Sequence, residues 1–166
     1  MYSIKEQGKI KNSTELIQKG ITGMKTEGIA IYFSGTFATL AEKQLELDLL
    51  DDARASLDDA FGFVDKTDER YWESELFRLK GELLFMDGEI SGAEACLNKA
   101  IEIARQQRAK SLELRAVMSL SRMWKEKQSK RAKAHQMLSE IYNWFTEGFD
   151  TPDLMEAKAL LSDLTE

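Results

Sequence analysis

The chain has 166 residues, 31% of them charged and 43% hydrophobic, with a formal net charge of −6. That length suits one domain with a full core, and that composition belongs to a globular chain rather than a disordered one. An acidic balance speaks against nucleic acid, no run nears the ~18 apolar residues of a membrane span, MYSIKEQGKIKN has no secretory apolar core, and a lone Cys96 cannot close an internal disulfide, so the reading is a cytoplasmic chain.

With a single proline, Pro152, long helices can run uninterrupted. The first predicted helix covers 12–26, where Ser13, Ile17, Gly20, Ile21 and Met24 share one face. It counts as a half repeat, because residues 1–11 are too short and polar to supply a partner helix. Its open face asks for the next helices of the same chain, for a second chain, or for more repeats of a longer array; the preferred reading is the last, with this chain a piece of such an array. A homodimer through Ile17, Ile21 and Met24 is the alternative.

The next predicted pairs are 29–48 with 51–66, 70–87 with 90–107, and 110–127 with 130–146. They define repeats 29–66, 70–107 and 110–146 within a single domain, 1–166. Forty residues after the first face stand Ala53, Leu57, Ala60, Phe61 and Val64. Forty further stand Ala93, Leu97, Ala100, Ile101 and Ala104, and at forty-one Ala134, Leu138, Ile141, Tyr142 and Phe145. In the alternate helices Phe37, Phe77 and Val117 recur at forty, as do the small Ala41, Gly81 and Ser121. A small residue at a fixed point lets a neighbouring helix approach closely. Asp87-Gly88 and Thr67-Asp68 read as turns, Ser129 as an N-cap, and Gly148 as a C-cap. RQQRAKS, without glycine, is the least marked corner. Thr151 then caps a closing helix, 152–164, with Pro152 at its first position. Its face of Leu154, Ala157, Leu161 and Leu164 is expected to cover the apolar flank of the last repeat, seated on Tyr142, Trp144 and Phe145.

Small residue, alanine, large apolar, small residue: at these spacings the pattern resembles the tetratricopeptide repeat, with helices about a turn longer than usual. The resemblance implies an all-α, right-handed α-solenoid of antiparallel helix hairpins with a C-terminal capping helix. YWESELFRLKGELLF, AEACLNKAIEIARQQRAKSLELRAVMSLSRMW and IYNWFTEGFDTPDLMEAKALLSDL resemble, more narrowly, the C-terminal helical repeats of bacterial signal-transduction ATPases. Those proteins are often linked to class III adenylate or guanylate cyclase or winged-helix domains. In that family the repeats are a sensor or scaffold arm and not the catalytic part. Arg108 stands where the family often has glycine.

Catalytic residues, cofactors and metal ligands are not expected. Gly8-Lys9 is followed by Ile10 and lacks the first glycine of a phosphate-binding loop. His135, the only histidine, excludes multi-histidine sites, and Cys96 has no base close in sequence. Asp51-Asp52 suits the start of a helix, Asp58-Asp59 a solvated face, and the basic run 125–133 a solvated corner. The best candidate surface is the inner wall of the alternate helices. Counted from Ala41, Gly81 and Ser121, it carries Glu42, Leu45, Arg78, Glu82, Arg115, Met118 and Arg122. The three arginines could grip a partner's carboxylates in bidentate pairs, against an ordinary solvated face with Arg78–Glu82 as an i,i+4 pair. The leading function is a non-catalytic interaction module for a protein or peptide, with no nucleic-acid or membrane partner. A homo-oligomerisation module and a small helical enzyme with an unrecognised site are the alternatives.

Overall fold

Eight helices and no strand make up the residues that the computed structural model describes, 4–26, 33–125 and 127–165. They are α1 (Ile4–Thr26), α2 (Phe33–Glu46), α3 (Leu50–Thr67), α4 (Glu73–Met86), α5 (Ile90–Gln107), α6 (Lys110–Lys125), α7 (Gln128–Tyr142) and α8 (Pro152–Thr165). Each helix packs on the next, and α2, α4, α6 and α8 also pack in line, each on the one before.

The forty-residue period reappears in the backbone. Asp68, Arg108 and Gly148 all adopt positive φ (57°, 57° and 76°), and so do Asp48 and Gly88 (61° and 81°). After α5 the Ala109 N–H reaches back to the Ala104 carbonyl at 2.9 Å, and after α4 the Glu89 N–H reaches Leu84 O at 2.8 Å. Such closures put one residue in the left-handed region, where glycine fits best. Arg108 meets that demand without glycine, at a cost of roughly 1 kcal/mol. Arg108→Gly is therefore expected to raise stability by about 1 kcal/mol, read as a higher urea midpoint with an unchanged slope. The corner is also tied by Glu113, whose carboxylate accepts from Arg105 and Lys110 at 2.7 Å each. Burial alone would push that carboxyl up; the two cations reverse this and hold it below its ordinary range.

Two apolar clusters form the core. One joins Ile21 to Leu83 across α1–α4, the other Ala93 to Leu164 across α5–α8. Helix α4 serves both, with Leu76, Leu79 and Leu83 in the first and Phe77 and Leu84 against the second. The Phe61 and Phe77 rings meet edge to face, 5.1 Å between centroids, where the clusters join. The small residues lie where close approach demands them: a Cβ at Gly81 would stand 2.7 Å from Leu97 Cγ.

Several boundaries differ from the sequence expectation. Helix α1 begins by Ile4 rather than 12, and the expected start at 29 falls outside the described residues. Its face is partly covered by its own chain: Ile21 is buried and Ile17 packs against the first cluster, whereas the side chain of Met24 lies outside the described residues. Helix α7 stops at Tyr142, short of 146, because the Trp144 and Phe145 N–H groups bond three residues back to Ile141 and Tyr142 and tighten the chain out of the helix. Ser129 is not the N-cap of α7: the helix starts a residue earlier, and the Lys127 carbonyl takes the Lys130 and Arg131 N–H groups. Gly148 is not a C-cap either; its carbonyl accepts from the Thr151 hydroxyl at 2.7 Å in the link to α8. In α8 the buried face is Leu154, Ala157, Leu160 and Leu164, with Leu161 half-buried, since the helix leans toward α6 as well as α7. Arg131 closes its C-terminus by donating to the Asp163 and Leu164 carbonyls at 2.6 and 3.1 Å.

Candidate interaction groove

Helices α2, α4 and α6 each turn one face toward a shared groove of about 990 Å³. Glu42 and Leu45 of α2, Arg78 and Glu82 of α4, and Arg115, Met118 and Arg122 of α6 all line it. The seven residues counted from the small anchors thus come together on one wall. Ala41, Gly81 and Ser121 are buried behind that wall, and their fixed phase against it sets the phase of the seven.

The floor is an ion-pair network. Arg78, 4% exposed, donates from Nη1 to Glu82 at 2.6 Å, from Nη2 to Glu42 at 2.8 Å, and from Nε and Nη2 to Glu75 at 3.0 and 2.6 Å. Arg115 on α6 pairs with Glu42 and, at 3.0 Å, with Glu75. The Ser119 hydroxyl donates to Glu82 at 2.6 Å. One network therefore joins three alternate helices, and Glu42 reaches two elements past its packing neighbour to touch α6. Burial pulls the Arg78 pKa down, but Glu82, Glu75 and Glu42 more than reverse it, so the guanidinium stays charged.

This changes what the arginines can do. A guanidinium has five N–H donors, and those of Arg78 that form pairs are spent on its own chain. Arg122 is more open and is held by Glu156 of α8 at 2.6 Å. The Arg78–Glu82 pair foreseen on a solvated face does form, as part of a wider, partly buried network in which Arg78 is buried and Glu82 partly exposed. The sequence reading missed Glu75, the buried hub. Its spacing of three from Arg78 was a usable signal. It also missed α8, which brings Pro152, Asp153 and Glu156 to one end of the groove, because α8 was read only as a lid.

The other singled-out residues sit apart from this wall. His135 is half-buried on α7. Burial pushes the half-buried Cys96 thiol up, against the pull of Lys80, which is the reverse of an activated thiolate. Asp51 and Asp52 lie in the first turn of α3, and Asp58 and Asp59 are exposed further along it. The basic run is absorbed locally: Lys125 pairs with Asp163 at 3.0 Å, Lys130 with Glu94 at 2.5 Å, and Lys133 lies 5.3 Å over the Trp124 ring. Among the described residues no group of acidic, histidine and cysteine side chains is placed to hold a metal, and no helix is long and apolar enough to cross a membrane. Compared with family models, with curated proteins and with solved structures, the chain has no match.

Proposed function

We propose that the chain is a non-catalytic protein-interaction module whose groove receives a peptide segment of a partner. The observation that carries this reading is the convergence of side chains from three alternate helices on one groove of about 990 Å³, at the upper end of what ligand sites occupy. The forty-residue recurrence, in side chains and in left-handed turns, supports reading the scaffold as a tetratricopeptide-like, right-handed solenoid of three hairpins, with α1 as a half repeat and α8 as the cap. The network across α2, α4 and α6 supports a wall that holds its curvature, which lowers the ordering cost of binding. The resemblance of the C-terminal two-thirds to the repeats of bacterial signalling ATPases supports placing the module as the regulatory arm of such a protein. There, a docked partner would bias the parent between conformations.

The test is to pan a random-peptide library, displayed on phage, against the chain and map the selected peptides by backbone amide shifts. Changes confined to Gln7 of α1, to α2 and the turn after it, to α4 and α6, and to the start of α8 are the expected result. Shifts confined to the outer faces of α3, α5 and α7, or no selected binder, overturn the reading.

A further inference from the structure

We infer that the groove selects a cationic segment, bearing Lys or Arg beside an apolar anchor, rather than the acidic segment its arginines first suggest. The inference rests on the groove being the binding site and adds the chemistry of its occupant.

The first observation is how the groove's charges are already used. Its four cations, Lys43, Arg78, Arg115 and Arg122, each hold a carboxylate of the same chain. An acidic segment would have to share a cation already paired with a carboxylate of the chain, and would meet that carboxylate's like charge beside it. The second is the remainder. Six carboxylates line the same groove, and two of them, Asp48 and Asp153, form no ion pair among the described residues. Glu42 and Glu82 each spend only Oε1 on the network, so each keeps Oε2 as an acceptor, and both side chains are more than a quarter exposed (28% and 29%). Carboxylates thus outnumber cations in the lining by six to four, and the charges left without an ion pair among the described residues, Asp48 and Asp153, are anionic acceptors. They match an ammonium or guanidinium, which brings donors and no acceptor.

The third observation places the anchor. Phe85 and Met86, at the C-terminal end of α4, are 42% and 44% exposed on the groove's rim, with Asp48 on the same lining. Two large apolar side chains beside an unpaired carboxylate fit a residue pair of one apolar and one basic side chain, and methionine and phenylalanine are both common at such contacts.

The experiment reads the composition of the peptides selected above and then their affinity by fluorescence anisotropy. Selected peptides are expected to be net positive with at least one large apolar residue. Asp48→Asn with Asp153→Asn is expected to weaken them about tenfold. Asparagine tolerates the positive φ at Asp48, so folding is preserved. Asp58→Asn with Asp65→Asn removes the same charge from the exposed outer side of α3 and is expected to change affinity less than about twofold. Acidic peptides that map to the groove overturn this inference and leave the groove as the binding site. Equal losses in the two double variants reduce the selection to net charge and overturn it as well. Absence of any groove-mapped peptide overturns both.

Discussion

Arg78→Ala is expected to be the most damaging single change in the groove, lowering stability by about 3 kcal/mol. The reason is the charge left behind. The Glu75 side chain is 5% exposed, and Arg78 supplies two of its hydrogen bonds. Without Arg78, that carboxylate keeps only Arg115, at 3.0 Å. Glu42 and Glu82 are more than a quarter exposed and can return to water, so the loss falls near the lower end for a broken buried pair. Urea unfolding followed by circular dichroism measures the effect. The companion variant, Arg78→Met with Glu75→Met, removes both buried charges together and is expected to recover most of the loss, because apolar replacement of a whole buried pair is often neutral. A loss under about 1 kcal/mol for Arg78→Ala would mean the network does not brace the three helices. A double variant as weak as the single one would show that the charge orphaned on Glu75 is not the cause and that the pairs of Arg78 with Glu42 and Glu82 carry the effect.

Gly81→Val is expected to cost about 3 kcal/mol and to act on the α4–α5 hairpin before the rest of the molecule. A Cβ at this position would lie 2.7 Å from Leu97 Cγ, 2.8 Å from Leu97 Cδ2 and 3.2 Å from the Ala93 carbonyl oxygen. Leu97 is 1% exposed and Ala93 is fully buried, so neither can give way without moving α5. Against this, valine gains several tenths of a kcal/mol in helix propensity over glycine, which is far less than the overlap costs. Hydrogen exchange separates the mechanisms: amides of α4 and α5 should lose protection first, whereas those of α7 and α8, across the second cluster, should keep theirs longer. A neutral Gly81→Val would sink the argument that a small residue sets the spacing of this pair.

The sequence by itself determined the number, type and order of the helices, because apolar residues at a helical period, without interior proline, leave few other ways to bury them. The span 90–107 coincides with α5, bounded by Asp87-Gly88 on one side and Arg108 on the other. The phase of the small residues was likewise enough to bring seven named side chains onto one wall, since a helix fixes which residues share a face. What only the tertiary structure decided is how that wall is charged. Counting phases shows that Arg78 and Glu42 face the same way; it cannot show that alternate helices bend close enough for them to meet, thirty-six residues apart, or for Glu42 to reach Arg115, seventy-three apart. Tertiary contact also set the face of α8, where burial against two helices favoured Leu160, whereas the end of α7 follows from the local three-residue hydrogen bonds at Trp144 and Phe145. Local periodicity encodes direction along a face, whereas distance between faces follows from how the helices stack, and ion pairing depends steeply on distance.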